Sequence, residues 1–188
     1  MLNRIFVMAI NVNVITGFLG VGKTSAIQYF LKHKPQDEFW AIIVNEFGEV
    51  GIDESLLTNE NSNDTIRQIP GGCVCCTVGT ALQTTLNDLV KNVHPDRILI
   101  EPSGIGHPAG IIDTLEEGLK DIAEIQAVIS LIDPRNLNSP KHMGHETFMD
   151  QIELADILIA NKTDLCSDEE LVQFDRWANE LYPPKQLV

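Results

Sequence analysis

Continuous apolar runs alternate along the chain with stretches of helical spacing. Asn11 to Thr16 reads as a strand and Lys23 to Lys32 as an amphipathic helix. Phe39 to Val44 (FWAIIV) is an apolar run short enough for a buried strand, and Thr65 to Ile69 a shorter one. Gly48 to Asn63 reads as a loop with one helical turn near Glu54 to Leu57. Apolar positions at Leu82, Leu86, Leu89, Val90 and Val93 predict a helix over Thr77 to Val93, with Thr77 as N-cap. A strand at Arg97 to Ile100 and a helix at Ala109 to Ile122 follow, the helix weakened by Gly110 and Gly118. Ile125 to Ile132 is a strand, Thr147 to Ala155 a helix and Ile157 to Ala160 a strand. Ser167 caps a helix to Leu181, with acidic residues in its first turn, and Pro183 and Pro184 stop it. Such β–α alternation predicts an α/β fold, a mostly parallel doubly wound sheet with helices on both faces. Ligands of such sheets bind at the carboxyl ends of the strands.

The polar motifs lie at those ends. Gly17 to Thr24, GFLGVGKT, fits G-x-x-x-x-G-K-[ST], the P-loop of P-loop NTPases, and sits between the first strand and the first helix. Glycines at 17, 20 and 22 let backbone N–H groups converge on one oxyanion, and the helix start at Lys23, Thr24 and Ser25 adds its positive end. Lys23 would reach the terminal phosphates and the Thr24 hydroxyl would bind Mg²⁺. Glu101-Pro102-Ser103-Gly104 ends another strand. Glu101 occupies the place where such enzymes put a carboxylate for Mg²⁺, and Gly104 could bring a backbone N–H to the γ-phosphate, with Gly106 and His107 in the continuing loop.

Asn161-Lys162-Thr163-Asp164 follows the strand Ile157 to Ala160. A carboxylate at Asp164 accepts from guanine N1–H and its exocyclic amine, whereas adenine presents an acceptor there and is repelled. Asn161 can face the O6/N7 side or hold the loop, and the Lys162 stem can lie on the ring. The nucleotide is therefore read as GTP. Glu46, Glu49 and Asp53 stand in NEFGEVGID, a glycine-containing loop able to change shape with γ-phosphate and Mg²⁺.

Cys73, Cys75 and Cys76 in GGCVCC suit Zn²⁺ or Cu(I), with Glu46 or water as a fourth ligand. Cys166 reads as a buried spectator. His142 and His145 read as part of a surface loop, Pro140 and Gly144 opposing a regular helix. His33 and His94 stand at helix ends as favourable charges.

The chain has 188 residues, 44% of them hydrophobic, which suits one domain. A net charge of −14 gives nucleic-acid or membrane-surface binding no electrostatic support. Residues 1–10 read as a leader onto the domain at 11–188, since Asn11 and Asn13 interrupt the early apolar run and no cleavage site follows. A cytoplasmic location is expected, where cysteines are thiols or metal ligands.

GFLGVGKT, NEFGEVGID, GGCVCC, EPSG and NKTD, in that order, resemble the CobW-like family of metal-chaperone GTPases, relatives of the hydrogenase and urease nickel-insertion GTPases. The resemblance covers roughly Val12 to Leu165. It implies GTP hydrolysis coupled to a transition metal, usually zinc or cobalt, with Cys73, Cys75, Cys76 and a nearby Glu46 as ligands. It assigns Lys23, Thr24 and Glu101 to phosphate and Mg²⁺, and Asn161, Lys162 and Asp164 to the base. Pro102 stands where family members often carry Thr or Ser. The chain matches only the GTPase domain, the C-terminal CobW-type domain being absent. Slow turnover is expected, with no evident Gln or Arg finger and Glu46 as a candidate to position water. The expected partner is a client metalloprotein or cofactor-biosynthesis enzyme, and a homodimer is compatible. A nickel or cobalt insertion GTPase and a non-catalytic zinc-buffering fragment are the alternatives.

Overall fold

Strand β1, Ile10–Gly17, is the centre of the sheet, and its neighbours on both sides come from later in the chain. The computed structural model describes residues 9–45, 65–69, 78–104 and 106–188. Seven strands run in the order β3-β2-β4-β1-β5-β6-β7, and every pairing is parallel. They are β2 Trp40–Asn45, β3 Thr65–Ile69, β4 Arg97–Glu101, β5 Ala123–Ile132, β6 Ile157–Ala160 and β7 Gln186–Leu187. The ends of β1, β4, β5 and β6 therefore emerge on one edge, which gathers the motifs at 17–24, 101–104 and 161–164.

Side-chain alternation sorts the core into two layers. Ile15, Ile42, Val44, Leu99 and Leu131 face helix α1, Lys23–His33, and pack on its Ile27. Val12, Val14, Ala41, Ile43, Ile98 and Ile100 face the opposite way. Leu82, Leu86 and Leu89 of α2, Val78–Asp88 with a π-helical turn at Leu89–Val93, cover them, as do Ile111 and Leu115 of α3, Ala109–Asp113. Leu158 continues this second layer against Phe148 and Ile152 of α5, Glu146–Glu153, and Phe174 and Ala178 of α6, Asp168–Asn179. Among the described residues, no helix is long and apolar enough to cross a membrane.

The sequence reading carries over closely at the strands and at α6, whose Ser167 and Glu170 form a capping box. The helix expected over 109–122 is shorter. It passes into a π-helical turn at Thr114–Gly118 and ends there, and β5 begins at Ala123, two residues earlier than expected. The expected loop is corrected at His142, while His145 stays outside the helices, extended just before α5. Pro140 takes the first position of a one-turn helix α4, Pro140–Met143, where its missing N–H costs nothing, and Gly144 caps it. Both imidazoles meet Phe18 edge-on, with centroids at 5.3 and 4.8 Å. Strand β7 went unread because two residues carry no periodicity.

Candidate functional site

The phosphate loop runs from the end of β1 into α1. Gly22 adopts φ +101, and a β-carbon there would lie 2.6 Å from Asn161 Nδ2, so only glycine fits. Gly20 holds φ +72 and Gly17, closing β1, φ +142. Lys23 opens α1 and is 8% exposed, with its Nζ donating to Gly17 O at 3.0 Å. Thr24 is half-buried and Ser25 exposed on the same first turn.

Two long-range hydrogen bonds close the site. Asn161 Nδ2 donates to Val21 O at 2.8 Å, and Lys162 Nζ donates to Gly20 O at 2.7 Å. Of the two roles open to Asn161, the structure places its amide on the loop. The Lys162 backbone is left-handed, φ +58, which turns the chain so that its side chain reaches back. Asp164 is exposed in the 3₁₀ turn Thr163–Leu165, free to face a base. Cys166 is corrected from buried spectator to a half-buried thiol, its Sγ bonded to Lys162 O at 3.4 Å. Burial pushes its pKa up.

Glu101 and Gly104 approach from β4. A β-carbon on Gly104 would lie 2.9 Å from Lys23 Nζ and 3.0 Å from Leu19 N, so this turn rests directly on the phosphate loop. Glu101 is 9% exposed, and its Oε2 is buried without a hydrogen-bond partner among the described residues. Burial pushes the Glu101 carboxyl above its usual range, while Lys23 pulls it back. Burial pushes the Lys23 ammonium down, while Glu101 raises it. Each group thus lies in a place that disfavours its charge. A phosphate relieves the first penalty at Lys23 and a hard divalent cation relieves the other at Glu101. The orphaned carboxylate oxygen fits Mg²⁺ on chemical grounds.

A raised folded-state pKa at Glu101 means the folded state holds its proton more tightly. Its stabilising contribution is full below the ordinary value near 4.5 and is lost as pH rises through the folded value. Glu101→Gln removes that slope. The melting temperature of the nucleotide-free variant, minus that of the wild type, is expected to grow as pH rises from 4.5. A pH-independent difference in parallel calorimetric scans would show that Glu101 carries no such penalty.

Sequence reading missed two groups here. Asp133 follows β5, another strand end, and the same rule would have found it. Its carboxylate holds Arg135 through two side-chain bonds and lies 3.8 Å from Lys162 Nζ. Arg135 and Lys162 keep Asp133 below the usual carboxylate range. The second is Gln151, a polar residue inside the apolar stripe of α5 beside Phe148 and Ile152, which is the signal that could have exposed it. Glu46, Glu49, Asp53, Thr77, Cys73, Cys75 and Cys76 lie outside the described residues. Among the described residues no group of three or more His, Cys, Asp or Glu could hold a metal.

Comparison with known proteins adds four matches. Residues 11–188 match the CobW/HypB/UreG nucleotide-binding domain. The zinc chaperone YeiR of Escherichia coli is 44% identical over 94% of this chain and 53% of its own length. The zinc chaperone CobW of Pseudomonas aeruginosa is 30% identical over 86% of this chain and 51% of its own. The crystal structure of Zn(II)-bound YjiA GTPase from E. coli superposes with a TM-score of 0.65 at 27% identity, covering 91% of this chain and 54% of that one. The chain spans about half the length of the curated relatives it matches.

Proposed function

The chain belongs to the CobW/HypB/UreG family through its nucleotide-binding domain, and from that premise we propose that it is the GTP-hydrolysing part of a zinc metallochaperone. One observation carries the nucleotide half of this reading. Asn161 and Lys162 hold the carbonyls of Val21 and Gly20, so the turn bearing Asp164 and the phosphate loop form one site. A base read by Asp164 and phosphates read by Lys23 then belong to a single guanine nucleotide.

In this reading Gly17, Gly20, Gly22 and Ser25 shape the backbone around the phosphates. Lys23 neutralises charge developing on the terminal phosphoryl group, and Gly104 brings the next loop to it. Thr24 and Glu101 would hold Mg²⁺, which when bound neutralises the phosphate oxygens. Zinc is the cargo. Cys73, Cys75 and Cys76 supply thiolates, with Glu46 the candidate fourth ligand, and zinc binding releases their protons. If GTP and zinc favour the same arrangement, each tightens the other by the same factor. Hydrolysis then lowers zinc affinity and passes the ion to a client protein in the cytoplasm.

The test is phosphate release from GTP and from ATP, each with and without stoichiometric Zn²⁺, Co²⁺ or Ni²⁺. Slow GTP turnover, preferred over ATP and responsive to zinc above the other two ions, is expected. Asp164→Asn should cut the GTP preference by about 10- to 100-fold, the loss of charged hydrogen bonds worth ~1.5–3 kcal/mol. Stoichiometric zinc binding without phosphate release would leave a zinc buffer. Equal ATP turnover would remove the guanine assignment.

A further inference from the structure

Helix α5 carries two loops of the site on one side. Phe148 packs edge-on against Phe18 of the phosphate loop, with centroids 6.0 Å apart. Gln151, three residues on, reaches the loop after β4. Its Nε2 donates to Gly104 O at 3.2 Å and to Gly106 O at 3.3 Å. The same loop is held a second time by His107. Its Nδ1 pairs with Asp150 Oδ2 at 2.5 Å, and its Nε2 lies 3.4 Å from Thr147 Oγ1. Thr147, Phe148, Asp150 and Gln151 are neighbours on a helical surface, so one short helix sets the spacing between the phosphate loop and the Gly104 turn.

Gln151 is 1% exposed, and its Oε1 is buried without a partner among the described residues. Both groups facing its amide nitrogen are carbonyl oxygens, so only the donor end can point at them. An apolar side chain of the same length would avoid stranding the oxygen. The amide therefore makes sense through what its donors fix, the orientation of the peptide planes at Gly104 and Gly106.

We propose that Gln151 is a positioning residue that holds the Gly104 turn against the phosphate loop, and so makes the site distinguish a nucleoside triphosphate from a diphosphate. This rests on the GTPase reading above. Gly104 leaves no room for even a β-carbon between it and Lys23 Nζ or Leu19 N, so a small tilt of this turn would change what meets a third phosphate. In that reading the α- and β-phosphates would lie with the loop and α1, whereas the Gln151 amide donates to the Gly104 turn.

Affinities for GTPγS and GDP, each with Mg²⁺, are measured by displacement of a fluorescent guanine nucleotide from wild type, Gln151→Met and His107→Ala. Met keeps the length and removes the donors. Q151M is expected to lose roughly 10-fold for GTPγS, the worth of one or two hydrogen bonds, with GDP affinity within about twofold of wild type. H107A, a site 47% exposed, is expected to shift the same ratio by about threefold and decides the question if Q151M does not fold. An equal loss for both nucleotides, or no loss for either, overturns the proposal while leaving the GTPase reading intact. A wild type that binds no guanine nucleotide overturns both.

Discussion

Lys23→Ala is expected to lower GTP turnover by about 10²–10³-fold, the usual consequence of removing one charge-stabilising donor from a phosphoryl or acyl transition state. The side chain is positioned before any ligand arrives. It leaves the first residue of α1, lies 8% exposed and is pinned to Gly17 O. A buried ammonium with a lowered pKa is poorly solvated, so an incoming phosphate replaces little water. The same deletion removes the positive neighbour that pulls the Glu101 carboxyl down. Mg²⁺·GTP affinity should fall together with turnover. Lys23→Arg should not rescue, because the planar guanidinium needs room that the Gly104 turn already occupies. Single-turnover phosphate release under saturating Mg²⁺·GTP gives the answer, and activity within threefold of wild type would sink the assignment.

The second large effect concerns the cargo. Replacing Cys73, Cys75 and Cys76 together by Ser is expected to weaken zinc binding by at least about 10⁴-fold. Thiolate sites in small zinc domains are worth ~10–16 kcal/mol, and three ligands of this set would be lost. Serine keeps the size but stays protonated, so it cannot act as the soft anionic donor. The wild-type affinity should rise with pH below the thiol range, because zinc displaces protons. The variant should lose that dependence. GTP binding without zinc should be unchanged, since Lys23, Glu101 and Asp164 are untouched. Competition with a chromogenic chelator measures both affinities. Zinc binding that survives the triple substitution would move the metal site elsewhere.

How much of this was legible in the sequence depends on the range of each determinant. Gly22, Lys23 and Thr24 follow from local backbone chemistry, and a strand–loop–helix pattern around them places the loop without further information. Asp164 was legible for the same reason, as a polar turn after an apolar strand. The clasp from Asn161 to Val21 was not, because it joins residues 140 apart and depends on the sheet order. Gln151 looked like an ordinary amide on a helix until its burial was known. His142 was misread because Pro140 was taken as a helix breaker, whereas at the first helical position it is tolerated. The π-helical turn at Thr114–Gly118 shows the reverse case, since it shortens a helix that the apolar spacing alone would have extended.

The clasp also bears on the order in which the chain is made. The phosphate loop leaves the ribosome early, but the strand that carries it, β1, pairs only with β4 and β5, both synthesised later. The side chains that fix the carbonyls of Gly20 and Val21 arrive later still, at Asn161 and Lys162, once β6 has docked beside β5. A nascent chain halted before residue 161 holds every residue of its phosphate loop and none of this bracing. The bracing of the phosphate loop is thus acquired only after residue 162 has been made and β6 has found its place beside β5.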